Sequence, residues 1–462
     1  MVVATMAWRH KAVPAAANTL GILAFDAGKT MCHLISLYHS LSNEEITKLR
    51  GEVIKSKGVK YLNSEHECFL LNLAAAERLE ELDTAANTVA RLGRKCSDLS
   101  LANFYLVYSD LKLGVIDLRK LSYDTRNTLK LISKMEKFVS STKSLYSAMQ
   151  CMVELETSEK KRQKLKTMGV GNNYNNFSKQ NMECLNVGIA YHRKQVQHYK
   201  EVSLWNQTLD KTVGIMAKVV CIVYARICSV FGAYIANCNC YNDNNNNCCC
   251  LLEHRELYKK NYCLYEETLQ KRVTRSGPIP KVNNGDKTGV IRFLNNGGGS
   301  GEVEKPMGSA NNRVLRLAPP YTVGGAGLAA RYAEVVLFAE RCFHSPATVE
   351  EGAREVLYEM LPERVRRRVA AKLRGRWRRE EEGEALAVGW RDAVEELLEW
   401  LSPVAHDTVR WQAERSMETA RFEAKTTALL LQTLHYSDLE KTEATMVEVL
   451  VGLSCILKCK KK

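Results

Sequence analysis

Proline is missing from most of this chain. Of nine prolines, only Pro14 precedes Pro278. A proline inside a helix removes one backbone N–H and clashes with the carbonyl four residues back, at a cost of about 3 kcal/mol. Residues 15–277 carry no such break, so long helices are open to them. The apolar spacing fills that opening. Phe69, Leu73, Ala76, Leu79, Leu82, Ala86, Val89 and Leu92 recur in steps of three and four. This is one buried stripe, with Glu77, Arg78, Glu80 and Glu81 expected on the solvent side. A second pattern runs from about Val115 to Leu155 through Ile132, Met135, Leu145 and Met149. Alternating strand patterns are scarce, and no strand–turn–strand signal occurs before residue 277. The reading is all-α, with an N-terminal helical domain over 18–235 behind a short leader, 1–17.

The composition then shifts. Residues 237–250 read NCNCYNDNNNNCCC, and 276–320 hold SGPIPK, NNGDKTG and NNGGGSG. Such a stretch buries too little apolar surface to offset the entropy of ordering it. It predicts a long low-complexity linker over 236–320. Helical spacing returns with Leu328, Tyr332, Val335, Ala339 and Cys342. Thr348 and Glu351 stand at capping-box spacing for a helix that Pro362 closes. A stripe through Trp390, Val394, Leu398 and Leu401 is expected to stop before Pro403, and a last helix to run from Asp407 to His435. These make a C-terminal helical domain, 321–435, followed by a basic tail, 436–462. The fold class is therefore two helical-bundle domains joined by a linker.

At 45% apolar and 26% charged residues the chain is ordinary globular material, and its formal net charge of +14 favours acidic partners. That charge is sharpest at 363–379, ERVRRRVAAKLRGRWRR. Val365, Val369, Leu373 and Trp377 share one helical face. Arg364, Arg366, Arg367, Arg368, Lys372, Arg374, Arg376, Arg378 and Arg379 occupy the others, with Trp377 available for stacking. A helix of this kind suits an acidic protein groove, a nuclear-import receptor, an anionic membrane or nucleic acid. The acids just after it, Glu380, Glu381, Glu382 and Glu384, argue for a neutralised surface and against nucleic acid.

The other candidate motifs are incomplete. Gly28-Lys29-Thr30 ends like a phosphate loop, but Leu23 stands where the loop needs its first glycine. Gly325-Ala326-Gly327 lacks the preceding strand of a dinucleotide fingerprint, so it reads as a tight turn. Cys238, Cys240, Cys248, Cys249 and Cys250 lack the paired spacing of a zinc knuckle. No hydrolase or metalloprotease pattern surrounds His406-Asp407 or any other histidine. No catalytic, cofactor or metal residue is assigned. The apolar run Val213–Ala236 is interrupted by Lys218 and Arg226, so it predicts a bundle helix and not a transmembrane one. Cys455 and Cys459 beside the C-terminal lysines offer a peripheral membrane contact. Val2 excludes N-myristoylation.

Three N-terminal stretches, LGILAFDAGKT, SLYHSLSNEEITKLR and FLLNLAAAERLEEL, carry a likeness, as do the C-terminal stretches TVGGAGLAARYAEVVLFAE, LYEMLPERVRRRV and WRDAVEELLEWLSPVAHDTVRWQAER. Together they resemble the plant phytosulfokine-simulator family, built from two helical domains. The resemblance implies a non-enzymatic regulator that promotes plant growth within phytosulfokine peptide-hormone signalling. Some family members begin Met-Gly and carry an N-terminal lipid, a pattern from which Val2 departs. The expectation is a protein-binding protein of the nucleus or cytoplasm, or of the plasma-membrane periphery. The alternative is a nuclear nucleic-acid-binding protein using helix 364–379.

Overall fold

The computed structural model describes residues 19–113, 115–116, 125–167, 175–236, 313–316, 318–345, 351–377, 384–417, 422 and 428–460. The leader 1–17, the Cys238–Cys250 cluster, most of the predicted linker and the Thr348 cap lie outside them. Among the described residues every named element is helical, and extended pairing is confined to two isolated bridges, Thr19 with Thr208 and Thr322 with Asp438. The all-α expectation holds.

In the N-terminal block, Gly21 takes a positive φ of 52° and releases the chain into α1, Leu23–Ser40. Ser42 caps α2, Asn43–Lys48, by accepting from the Glu45 amide, and α2 runs into a short π segment, Leu49–Val53. Next come α3 (Lys57–Leu62), α4 (Glu67–Gly93), α5 (Leu99–Ala102) and α6 (Phe104–Lys112). Then α7, Thr125–Thr167, pairs with α8, Asn175–Val202, in a long hairpin. Lastly α9, Leu209–Ala236, is apolar and long enough to cross a membrane by composition alone. Its Val213, Met216, Val220, Val223 and Ile227 are instead buried in the largest core, as a bundle helix requires. Arg226 escapes burial by donating from Nε to the Leu41 carbonyl at 2.8 Å, its guanidinium over the Tyr38 ring.

The C-terminal block begins with one turn, α10 (Arg313–Arg316), and continues through α11 (Ala329–His344), α12 (Glu351–Met360), α13 (Glu363–Trp377) and α14 (Glu384–Met417). It ends in two short 3-10 turns and α15, Leu439–Lys460. Three expectations fail here. Pro403 does not stop a helix: α14 runs through it with the ring in solvent, because Leu398, Leu401, Val404 and Ala405 on both sides are buried. That burial, at roughly 1.5–3 kcal/mol per large side chain, outweighs the proline cost. Nor is 436–462 a tail. Met446, Val447, Val449, Val451 and Leu453 of α15 are buried at the centre of the second core, and the basic residues cluster only at its far end. The helix expected over 407–435 ends instead at Met417.

The two blocks pack together within one unit. Leu429, Leu430, Leu431 and Tyr436 enter the first core, while Leu62 enters the second. Helix α3 lies against α14 and α15: the Leu62 carbonyl accepts from the Asp438 amide at 2.7 Å, and Lys57 pairs with Glu396 at 2.9 Å.

Candidate interaction site

The basic segment forms a helix, α13, with one face docked on the protein. Val365 and Val369 are buried and Leu373 is half-buried against the second core. The arginine stems beside that stripe converge on one buried carboxylate, Glu443 of α15. Arg364 Nε donates to Glu443 Oε2 at 2.7 Å, and Arg368 lies 3.6 Å from the same oxygen. Tyr332 of α11 donates its hydroxyl to Oε1 at 2.8 Å. Burial and that bond to a carboxylate push the Tyr332 hydroxyl well above its ordinary range. Lys372 pairs with Glu448. Arg366 and Arg367 reach Glu363, at 3.1 and 3.4 Å, in exposed pairs of the kind that contribute about 0–1 kcal/mol.

What remains outward is narrower than the sequence promised. Arg367 is 75% exposed, and Arg374 is exposed without an ion pair to any described residue. Arg376 and Trp377 sit in the last turn, their side chains outside the described set; Arg378 and Arg379 lie beyond it altogether. The clamps, Glu443 and Glu448, belong to a stretch read as tail, so nothing nearby in the sequence announced them. Cys455, the tail's candidate membrane thiol, is half-buried against the second core.

A second charged constellation went unseen. Glu77, Arg78 and Glu81, expected in solvent, are buried where the two blocks meet. Arg415 of α14 donates to Glu77 at 2.9 Å and to Glu81 at 3.0 Å, and Arg78 pairs with Glu81 at 2.7 Å. Glu77 also accepts from the Trp411 indole at 2.8 Å and from the Leu430 amide at 2.7 Å. Burial pushes the Glu77 carboxyl up, with Arg415 pulling it back. Burial acts on Glu81 too, but Arg78 and Arg415 overcome it and hold that carboxyl low. Two carboxylates and two guanidiniums make a neutral, hydrogen-bonded joint, not a reaction centre.

His435 packs its ring 5.0 Å from Trp411 beside this joint. Burial, with Arg415 adding to it, pushes its imidazole down to about 4. A folded pKa below the unfolded one leaves the histidine's contribution intact above the unfolded value and removes it as the pH falls toward the folded one. Between pH 7 and pH 5 the protein should lose about 2 kcal/mol from this group. Urea melts of the parent and His435→Gln across that range check it; an equal slope in both would refute it.

The glycine turn is fully used by the fold. Gly327 has a φ of 70°. The Gly324 amide donates to the His435 carbonyl at 3.0 Å, that of Gly325 to Thr322 Oγ1 at 3.1 Å and that of Gly327 to the Gly324 carbonyl at 2.9 Å. Those amides are engaged within the protein, so the dinucleotide reading has no cradle here. Gly28 lies inside α1, its Cα facing Phe422 and Thr142. Among the described residues no group of three or more His, Cys, Asp or Glu is placed to hold a metal. His406 pairs with Glu340 at 2.8 Å.

Comparison with known proteins fits this picture of two helical blocks. Residues 22–78 match a domain of unknown function, DUF3475, and residues 322–410 match a protein family of unknown function, DUF668. Over 94% of its length the chain is 24% identical to Protein PSK SIMULATOR 1 of Arabidopsis thaliana. It is also 22% identical to PSK SIMULATOR 3 of the same plant over 94% of its length, and 22% identical to PSK SIMULATOR 2 over 96%. The chain is a homologue of the PSK SIMULATOR proteins. It spans 55% to 60% of the length of these PSK SIMULATOR relatives. No solved structure matches it. The family resemblance read from the sequence is thus borne out. The DUF3475 match contains Glu77, and the DUF668 match ends five residues short of Arg415, so the buried joint ties the first matched region to the end of α14 and the Leu430 turn that follow the second.

Proposed function

We propose that this chain is a non-enzymatic regulator that promotes plant growth within phytosulfokine signalling, and that it works by binding an acidic protein partner along the outer face of α13. The names of its relatives support the signalling role. The observation that carries the binding mode is the clamping of α13: a buried apolar stripe and the Glu443 ion pairs fix the helix, while Arg367 and Arg374 stay in water. A fixed helix loses little entropy when a partner docks on it. A nuclear-import receptor could read the same face, which gives the chain a route to the nucleus as well as a cytoplasmic life. The lysine-rich end of α15 with Cys459 suits a peripheral contact with the plasma membrane.

The test is the double variant Arg367→Glu with Arg374→Glu in the full chain. Neither side chain supports the core, so the thermal transition should stay within a few degrees of the parent. Binding to a poly-glutamate peptide at low salt should weaken by roughly tenfold or more. Plants relying on the double variant should lose growth response to phytosulfokine. Unchanged peptide binding would refute the site; a full growth response would refute its role.

A further inference from the structure

We infer that the chain carries one helical unit twice, once in each block. Each copy opens at a bridged threonine, Thr19 or Thr322, and enters its helix, α1 or α11, two residues after a glycine in the left-handed region, Gly21 at 52° or Gly327 at 70°; the second copy has three more residues between bridge and glycine than the first. Those helices bury the same register. At one constant offset, Ala24, Ala27, Met31, Leu34 and Leu37 fall on Ala329, Tyr332, Val336, Ala339 and Cys342, all buried. Each of these helices packs on a long helix, α1 on α7 and α11 on α14.

The long helices then perform the same unusual task. Thr142 of α7 donates its hydroxyl to the Phe138 carbonyl at 2.6 Å and accepts from the Leu204 amide at 3.2 Å. Thr408 of α14 donates to the Val404 carbonyl at 2.7 Å and accepts from the Leu434 amide at 2.9 Å. Leu204 and Leu434 each open a 3-10 turn whose preceding hydroxyl, Ser203 or Thr433, accepts from the second amide of the turn. Each turn pairs back onto the opening residues: Leu20 to Gln207 and Gly21 to Trp205 in one, Val323 to Ser437 and Gly324 to His435 in the other. The sequences agree as well, SLWNQTLDKT at 203–212 against TLHYSDLEKT at 433–442. Helix packing accounts for adjacent helices at common angles. It does not require a buried threonine, a turn, a bridge and a burial register to coincide twice.

The copies differ where the basic helix sits. The offset that aligns the turns places Val213 and Lys218 at the positions of Glu443 and Glu448. The carboxylates that hold α13 thus belong to the second copy alone. The duplication itself stands whether or not α13 binds an acidic partner.

The test exchanges residues 203–212 of the full chain for the sequence of 433–442. The exchanged protein should keep one cooperative thermal transition, while a control with the same ten residues shuffled should lose it. Loss in both overturns the equivalence. As an independent readout, Thr142→Val should speed hydrogen exchange at the Leu204 amide, and Thr408→Val at the Leu434 amide, each by roughly tenfold or more. A response at only one of the two sites would also overturn it.

Discussion

Arg415→Met should destabilise the protein by about 3–5 kcal/mol, the cost typical of removing one partner from a buried ion pair. The side chain is of similar length, so lost packing is minor. What is lost is the charge that balances Glu77 and Glu81, whose side chains are each 3% exposed. With Arg78 alone against two carboxylates, one negative charge stays buried without a counter-ion. Two results should accompany the loss. Adding Glu77→Gln restores neutrality, so the double variant should be more stable than the sum of the single changes predicts, by at least about 1 kcal/mol. The deficit of Arg415→Met should also shrink as the pH falls from 7 to 5. Without Arg415 the largest of the influences that oppose burial at the Glu77 carboxyl is gone, and Arg78 and the Trp411 indole alone are left to hold it down. A folded state that takes up a proton more readily than the unfolded one gains stability on acidification. Equilibrium denaturation of the four proteins at both pH values measures all three effects. Strict additivity would show that the joint contributes no coupling between the blocks.

Gly324→Ala is expected to cost roughly 2–4 kcal/mol, the sum of an overpacked contact and a weakened backbone hydrogen bond. A methyl group there would stand 2.3 Å from the His435 carbonyl oxygen, the atom that accepts from the Gly324 amide. A backbone atom cannot rotate aside as a side-chain tip can. The two strands of the bridge would have to part, and the neighbouring Val323 to Ser437 bond would part with them. Gly375, exposed on α13 with open space around it, is the matched control. There Gly→Ala should stabilise by up to about 1 kcal/mol through helix propensity. Thermal melts of the two variants should move in opposite directions; a shared direction would contradict the packing described for Gly324.

The helical class, the apolar stripes of α4 and α7 and the burial of α9 were legible because periodicity is a local signal. The same local logic misplaced Glu77, Arg78 and Glu81. Charged residues beside a stripe normally face water, and only the arrival of Arg415, Trp411 and Leu430 from more than 330 residues away makes an interior position tolerable. Pro403 misled for a related reason. Its penalty is visible in the sequence, whereas the packing that overrides it is tertiary. The last helix was hidden by its ends: CKKK draws the eye to charge, while Met446 to Leu453 form an ordinary apolar run. The basic helix itself was plain to see, and its clamps were not, because an ion pair between Arg364 and Glu443 leaves no periodic trace.

The exchange of leucines between the cores sets a limit on how this protein can be dismantled. Leu429–Leu431 join a core built mainly from residues 20–231, and Leu62 joins one built from residues 323–456. Any excision at the boundary of one matched region would leave an uncovered hydrophobic socket on the piece retained. Inheritance should therefore favour the pair travelling together, and shuffling either block into another gene would demand a substitute for the missing plug.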